Sequence, residues 1–175
     1  SVASRGLGDV YKRQIGTRNL LEALIKLPNP PKAVLLASSA NVYGNSSKGV
    51  AREDTPPNPV NDYGVSKLAM EYLSRLYIRR LPIVIARPFN YTGLGQSETF
   101  LLPKIVAHAR KRAGVIELGN LDVVRDFSDV RMIVEAYHRL LTEPGAVGET
   151  YNICSGNVLT VRDVVALVGD ISRHR

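Results

Sequence analysis

Two short apolar runs constrain the fold of this 175-residue chain more than any other feature of its sequence. AVLLASS at 33–39 and LPIVIARP at 81–88 are almost continuously apolar, and each ends in polar residues or proline. Runs of this length without alternation are typical of strands that are covered on both faces of a parallel sheet. Helical patterns lie before, between and after them, so we predict βα units whose ligands bind beyond the carboxyl ends of the strands.

Apolar spacing predicts the remaining elements. Residues 61–81 place Leu68, Tyr72 and Leu76 on one stripe of a long helix that has a capping residue near its start. The same reasoning predicts further helices at 16–27, 98–112, 129–141 and 160–171, and further strands at 115–119 and 150–156.

Composition argues against several classes of protein. The single cysteine, Cys154, forbids an internal disulfide, which indicates a reducing compartment such as the cytoplasm. No apolar run approaches the roughly 18 residues that span a bilayer, so we expect no membrane association. The net charge is +7, but more than half of the excess lies in residues 1–14 and 172–175. The weakly basic interior argues against nucleic acid as a partner and fits a small anionic ligand better.

A tyrosine and a lysine are spaced for proton chemistry. On a helix, the pattern Tyr63-x-x-x-Lys67 places both side chains on one face, about one turn apart. A tyrosine that exchanges protons at neutral pH needs its pKa lowered from about 10, and a neighbouring ammonium stabilises the phenolate. Ser39, at the carboxyl end of the strand at 33–39, can hydrogen-bond the same oxygen that Tyr63 protonates or deprotonates.

Four motifs together resemble the nucleotide-sugar branch of the extended short-chain dehydrogenase/reductase superfamily. They are SSANVYG at 38–44, DYGVSK at 62–67, RPFNYTGLGQ at 87–96 and LGNLDVVRDFSDV at 118–130. The resemblance implies an α/β fold, a partial doubly wound parallel sheet of the Rossmann type with a small C-terminal substrate lobe. It also implies NAD or NADP as cofactor, a nucleotide-diphosphate sugar as substrate, and a homodimer.

The resemblance also implies a role for each matched residue. Ser39, Tyr63 and Lys67 are expected to be catalytic. Ser39 is also expected to bind the sugar, and both Tyr63 and Lys67 are also expected to bind the cofactor. Proline at position 88 is expected beside the nicotinamide. Asn90 and Arg125 are expected to bind the sugar diphosphate, for which the planar guanidinium is suited. No metal site is expected.

The resemblance further predicts how the chain divides. Residues 1–14 lack apolar periodicity and are interpreted as foreign or disordered. Residues 15–92 are expected to form the C-terminal part of the cofactor-binding domain, since no G-x-G-x-x-G follows a strand. Residues 93–175 are expected to form mainly the substrate lobe, with returning elements of the first domain, and to be truncated at the C-terminus. We therefore expect a fragment that lacks the first half of that domain and is inactive by itself.

The motifs favour one reaction over its relatives. Dehydratases of the superfamily carry an acidic residue after the serine or threonine, whereas this chain reads Ser39-Ala40-Asn41, without a general acid or base. The motifs at 87–96 and 118–130 are most similar to GDP-4-keto-6-deoxy-mannose reductases, which implies reduction of a C4 keto group. A UDP-hexose 4-epimerase, a GDP-mannose 4,6-dehydratase relative and a non-catalytic binding module remain alternatives.

Overall fold

The computed structural model describes residues 7–45 and 49–173, which form two compact units. Unit 1 comprises the chain up to Phe89 together with Val134–Ile153, and unit 2 comprises Asn90–Ile133 and the chain from Cys154 onward. The helices are α1 Leu7–Ile25, α2 Asp62–Arg75, α3 Leu101–Arg110, α4 Val130–Thr142 and α5 Val161–Arg173, with 3-10 helices at Ala40–Tyr43 and Pro144–Ala146. The strands are β1 Val34–Ala37, β2 Ile83–Pro88, β3 Asn90–Thr92, β4 Val124–Asp129, β5 Thr150–Ile153 and β6 Val158–Thr160.

Unit 1 contains a parallel sheet in the order β1-β2-β5. All six residues of the central strand β2 are buried, which explains why it reads as a continuous apolar run. In this sheet Ala37 pairs with Ala86, and Ile85 pairs with Thr150. The prediction of an α/β chain with a parallel sheet is confirmed.

Helices α1 and α2 pack against each other and onto this sheet. The core joins Leu21 of α1, Met70 of α2 and apolar strand residues such as Leu36 and Ile83. The predicted stripe of α2 is wrong, because Tyr72 and the residue after the helix, Leu76, are exposed. The inner face of α2 instead consists of small and polar residues together with Met70, namely Gly64, Ser66, Met70, Glu71 and Ser74.

Unit 2 has a second small sheet in the order β3-β4-β6. Strand β3 is parallel to β4, with Asn90 opposite Phe127, while β6 is antiparallel to β4. Helices α3 and α5 contact each other. The assignment of residues 15–92 and 93–175 to a cofactor domain and a substrate lobe stays a prediction.

Three local predictions need correction. Residues 115–119 form no strand, since they have no pairing partner in the described part of the chain. Cys154 is exposed and follows β5, which ends at Ile153, although the predicted strand at 150–156 included it. Helix α1 begins at Leu7, nine residues before the start that was predicted at residue 16. Residues 1–6 lie outside the described residues, and the interpretation of 1–14 as foreign or disordered stays a prediction.

Candidate active site

Tyr63 and Lys67 lie in the first two turns of α2. Asn61 caps this helix, since its Oδ1 accepts a 2.8 Å hydrogen bond from the Gly64 amide. The cap fixes where α2 begins and therefore which way its first residues point. The Lys67 Nζ lies 5.7 Å from the centroid of the Tyr63 ring, so the ammonium and the phenol share one face of the helix.

Lys67 also connects α2 to the end of β1. Its Nζ donates a 2.6 Å hydrogen bond to the carbonyl oxygen of Ala37, the last residue of the strand. Burial lowers the pKa of Lys67, because an ammonium loses solvation when protein surrounds it. An ammonium has three N–H donors, and this contact uses one of them. Two donors therefore remain for a ligand or for water.

Ser39 is buried two residues beyond β1, at the start of the Ala40–Tyr43 3-10 helix. Its Oγ accepts hydrogen bonds from the backbone amide of Asn41, at 3.2 Å, and from the Asn41 Nδ2, at 3.0 Å. Both bonds use oxygen lone pairs, so the hydroxyl hydrogen is still able to donate. A Ser39 held in this way can donate to an oxygen atom of a substrate.

The turn that carries Ser39 and the helix that carries Tyr63 approach each other closely at Gly64. A Cβ atom at this position would lie 2.6 Å from the Asn41 carbonyl oxygen and 2.9 Å from the Pro59 Cβ. Real Cβ atoms essentially never come so near to other heavy atoms. Glycine is therefore required here by the packing of α2 against the 3-10 helix.

The other predicted site residues lie further along the chain. Pro88 is the buried last residue of β2 in unit 1 and pairs with Ile153. Within unit 2, the exposed Asn90 donates from its Nδ2 to the Asp126 carbonyl oxygen at 3.1 Å. Ser39, Tyr63, Lys67 and Pro88 all lie in unit 1, whereas Asn90 and Arg125 lie in unit 2. The roles assigned to all of these residues stay predictions.

Arg125 is exposed on β4, the strand next to Asn90 in the same sheet. Its guanidinium donates at 2.9 Å to the carbonyl oxygen of Val124, its own neighbour in the chain. The residue that follows it, Asp126, is buried and accepts hydrogen bonds from the backbone amides of Ser155 and Gly156. Asp126 thereby holds the turn after β5 against β4.

Sequence reasoning missed a buried polar network behind the site. Glu71 of α2 forms an ion pair with Arg87 of β2, and both side chains are almost completely buried. The spacing Tyr63-x-x-x-Lys67-x-x-x-Glu71 puts this carboxylate one further turn along the same helix. That spacing, and a lone arginine at the end of an apolar strand, are the signals that could have revealed the pair.

Among the described residues, no group of three or more His, Cys, Asp or Glu side chains is arranged to hold a metal ion. Helices long and apolar enough to cross a bilayer are also absent from the described part of the chain.

The sequence model of the GDP-mannose 4,6 dehydratase family matches residues 10–172, which is nearly the whole chain. The chain belongs to this family. Its members are extended short-chain dehydrogenase/reductases, as the four sequence motifs predicted. The match begins within residues 1–14, so it includes the last part of the segment that was interpreted as foreign or disordered.

Two curated relatives of this dehydratase-family chain act on GDP-linked 6-deoxy sugars. The chain is 40% identical over 161 residues to the GDP-6-deoxy-D-talose 4-dehydrogenase of Aggregatibacter actinomycetemcomitans, covering 92% of this chain and 54% of the relative. It is 38% identical over 168 residues to the GDP-6-deoxy-D-mannose reductase of Pseudomonas aeruginosa, covering 91% and 55%. The chain thus spans about half the length of the curated relatives it matches.

Solved structures of the family have the same fold. A Burkholderia cenocepacia protein provisionally assigned as an epimerase is 53% identical, with a TM-score of 0.92 over 98% of this chain and 57% of that one. The Pseudomonas aeruginosa protein RMD, solved with NADPH, is 36% identical, with a TM-score of 0.85 over 94% of this chain and 59% of that one. The prediction of a Rossmann-like fold is confirmed.

Proposed function

We propose that the protein uses NADH or NADPH to reduce the C4 keto group of a GDP-4-keto-6-deoxy-hexose. The observation that carries this proposal is the placement of Lys67, whose ammonium lies 5.7 Å from the Tyr63 ring and donates to the carbonyl at the end of β1. The matched relatives that oxidise or reduce GDP-6-deoxy sugars support this substrate class.

Tyr63 supplies the proton in this reaction. Tyr63 is 36% exposed, so its hydroxyl can reach a ligand from the surface of α2. Loss of the proton leaves a phenolate, which the Lys67 ammonium stabilises by Coulomb attraction. The proton moves from the Tyr63 hydroxyl to the C4 oxygen, and solvent later returns a proton to the phenolate.

Ser39 orients and polarises the same C4 oxygen. Its oxygen accepts two hydrogen bonds from Asn41, so the hydroxyl hydrogen is directed away from them and toward a ligand. A donor fixed before the substrate arrives stabilises the charge that develops on oxygen without having to reorganise. Ser39 and Tyr63 thus act on one oxygen atom from two elements.

The described donors fit a nicotinamide nucleotide. Lys67 uses one N–H for the Ala37 carbonyl, and the other two suit the hydroxyl groups of a ribose. Tyr63 and Pro88 are proposed as its other neighbours. When bound, the reduced cofactor supplies the hydride that goes to C4, and with the Tyr63 proton this converts the ketone to an alcohol. The relative solved with NADPH supports this cofactor class.

Reduction is favoured over dehydration by the residues that follow Ser39. Ala40 and Asn41 offer no titratable group, and the Asn41 side chain is already committed to the Ser39 oxygen. Removal of water from the sugar requires a general base for the C5 proton and a general acid for the leaving hydroxyl at C6. We therefore assign reduction to this chain, although its family is named after a dehydratase.

A coupled assay of the full-length protein tests the proposal. The protein is mixed with a GDP-4-keto-6-deoxy-hexose and NADH or NADPH, and the near-ultraviolet absorbance of the reduced cofactor is followed. We expect net oxidation of the cofactor, and a loss of at least about a hundredfold in kcat for Tyr63→Phe, which keeps the ring but has no proton to donate. The matched control is Tyr72→Phe on the outer face of α2. Equal activity of Tyr63→Phe and wild type would refute the role of Tyr63 as proton donor, whereas a wild type without turnover that still binds the nucleotide sugar would point to the non-catalytic binding module.

A UDP-hexose 4-epimerase is the second candidate, and the similarity to the Burkholderia cenocepacia protein favours it. An epimerase oxidises C4 and returns the hydride to the opposite face of the sugar, so it consumes no cofactor overall. Tightly bound NAD and no net oxidation of reduced cofactor in that assay, together with interconversion of UDP-hexoses in a second assay, would support this alternative.

We also infer that two copies associate through α1 and α2. These helices contact each other, and large apolar side chains remain exposed on both, among them Leu20 at 50%, Val65 at 47% and Tyr72 at 53%. Val65 and Tyr72 are seven residues apart and therefore lie on one stripe of α2. Burial of such a stripe against a second copy removes apolar surface from water.

Light scattering of the full-length protein tests the homodimer. Wild type is expected at twice the monomer mass and Tyr72→Glu at the monomer mass, because a carboxylate is costly to bury in an apolar contact. Val134→Glu is the matched control, since Val134 is similarly exposed, at 61%, on another helix. A monomeric wild type would refute the dimer.

The expectations about location and other partners stay proposals. We place the protein in the cytoplasm, where its one cysteine stays reduced, and we assign it a nucleotide sugar and no nucleic acid as partner. Cell fractionation and a filter-binding assay with duplex DNA check the two statements separately.

A further inference from the structure

The buried polar network of unit 1 lies directly behind the residues to which the proposed function assigns the chemistry. Glu71 and Arg87 are only 2% and 3% exposed. The Arg87 Nε donates to Glu71 Oε1 at 2.9 Å, and its Nη2 donates to Oε2 at 2.7 Å. This two-point contact between a planar guanidinium and a carboxylate fixes the orientation of both groups.

The network continues on both sides of the ion pair. The Ser38 hydroxyl donates to Glu71 Oε1. On the other side, the Arg87 Nη1 donates to the Tyr43 hydroxyl at 2.7 Å, which in turn donates to Asn152 Oδ1 at 2.7 Å. Among the described residues, no buried side-chain nitrogen or oxygen lacks a hydrogen-bond partner. The network is therefore fully satisfied, which is the condition under which buried charges are tolerated.

Each main member of the network is adjacent to a residue of the proposed site. Ser38 precedes Ser39, and Arg87 precedes Pro88. Glu71 follows Lys67 by four residues, which is one turn of α2. A rigid link between Ser38, Glu71 and Arg87 thus fixes the end of β1, the middle of α2 and the end of β2 relative to one another.

We propose that Glu71 and Arg87 are positioning residues, which hold α2 and the end of β1 in the register that brings the Ser39 hydroxyl and the Lys67 ammonium to the Tyr63 phenol. This inference rests on the proposed function for its catalytic consequence. Its geometric part, the position of Lys67 on the Ala37 carbonyl, is independent of which reaction the protein performs.

Stability alone does not require an ion pair at this place. Replacement of a buried pair by apolar side chains of similar volume is often neutral for folding, whereas removal of one partner leaves an unpaired buried charge. However, apolar side chains at positions 71 and 87 cannot accept a hydrogen bond from the Ser38 hydroxyl or donate one to the Tyr43 hydroxyl. A double replacement therefore separates the positioning of the site from the stability of the fold.

The experiment compares the full-length wild type with the double variant Glu71→Leu/Arg87→Met. We expect a thermal midpoint lowered by a few degrees, because the buried Ser38 hydroxyl loses its acceptor. We also expect a KM within about threefold and a kcat lowered at least about tenfold, because small misplacements of reacting groups are costly. The matched control is the exposed ion pair of α4, replaced as Glu135→Leu/Arg139→Met, which we expect to leave kcat and KM unchanged. A double variant with wild-type midpoint, kcat and KM would overturn the proposal.

A second measurement does not depend on turnover. The rate at which an acylating reagent modifies Lys67, relative to the exposed Lys26, reports whether the ammonium stays on the Ala37 carbonyl. We expect Lys67 to react several times faster in the double variant. If the ratio of Lys67 to Lys26 modification were the same in wild type and the double variant, the proposal would be overturned. If the ratio rose in the double variant but the wild type had no reductase activity, only the proposed function would be refuted.

Ser38→Ala tests the network when the double variant does not fold. It removes one hydrogen bond to Glu71 and keeps the ion pair intact, so the fold is retained. We expect a kcat lowered about two- to fivefold with KM unchanged and a faster acylation of Lys67, in line with the modest net value of one hydrogen bond. Wild-type values for both would contradict a positioning role.

Discussion

Gly64→Ala tests the close approach of α2 to the turn that carries Ser39. An alanine inside a helix is usually favourable, and by propensity alone it would stabilise the protein by roughly 0.5–1 kcal/mol. Here the new methyl group would lie 2.6 Å from the Asn41 carbonyl oxygen and 2.9 Å from the Pro59 Cβ. Neither neighbour is the flexible end of a side chain, so the backbone itself must move.

Overpacking of this kind typically costs about 1–3 kcal/mol, which exceeds the gain in helix propensity. We expect Gly64→Ala to lower the free energy of unfolding by about 0.5–2 kcal/mol. The displaced 3-10 helix carries Asn41 and with it Ser39, so kcat should fall at least about tenfold while the protein still folds.

Gly169→Ala is the matched control. Gly169 also lies inside a helix, α5, but a Cβ there would meet nothing within 4 Å. We expect this variant to be more stable by up to about 1 kcal/mol and fully active. Urea unfolding followed by circular dichroism gives both stabilities, and the reductase assay gives kcat. If Gly64→Ala were as stabilising as Gly169→Ala, the close approach at Gly64 would be wrong.

Three further predictions concern single side chains. Lys67→Met should lower kcat at neutral pH at least about a hundredfold, and a loss below threefold in steady-state assays would argue against a role for the ammonium in stabilising the Tyr63 phenolate. Asp126→Asn removes the carboxylate that holds two backbone amides and should lower the free energy of unfolding in urea by about 1–3 kcal/mol; a change below about 0.5 kcal/mol would contradict this. The Arg131 guanidinium holds the pKa of Asp129 at about 2, below its usual 3.8, so the stability from this pair is present above pH 3.8 and is lost as the pH falls toward 2. In Arg131→Gln the Asp129 pKa should return toward 3.8 in an NMR titration, and an unchanged value would exclude the ion pair as the cause.

The central strands were predictable because their burial is visible in the sequence. All residues of β2 are buried, and such a strand is apolar throughout, whichever face each side chain points to. Its neighbour β1 could be placed for the same reason. The helical pattern between them also predicted that β1 and β2 are parallel strands of one sheet, as they are.

The strands of unit 2 were not predictable in this way. Strands β3 and β6 have only three residues each, and most of their side chains are exposed. Such segments carry no apolar period, and they become strands only because β4 lies between them. Pairing between residues as distant as Asn90 and Phe127 is a long-range property that local spacing does not encode.

Helix α2 shows why the apolar period was misleading there. Tyr72, which belongs to the predicted apolar stripe, is exposed, while the buried face carries Met70 together with Gly64, Ser66, Glu71 and Ser74. Small residues allow the close approach to the neighbouring turn, and Glu71 is buried because Arg87 neutralises it. A pattern that assigns apolar side chains to the interior assigns this helix to the wrong face.

The candidate site likewise has features that local sequence predicts and a contact that it does not predict. Tyr63 and Lys67 could be found from the sequence because a helix alone brings residues four positions apart together. Ser39 could be found because the end of a parallel strand is where ligands bind in such folds. No local pattern, however, predicts that the Lys67 ammonium donates to the Ala37 carbonyl, since that contact joins residues thirty positions apart. Glycine at position 64 lets α2 approach Asn41 and Pro59 closely, so the placement of Tyr63 beside the turn that carries Ser39 depends on the missing Cβ atom.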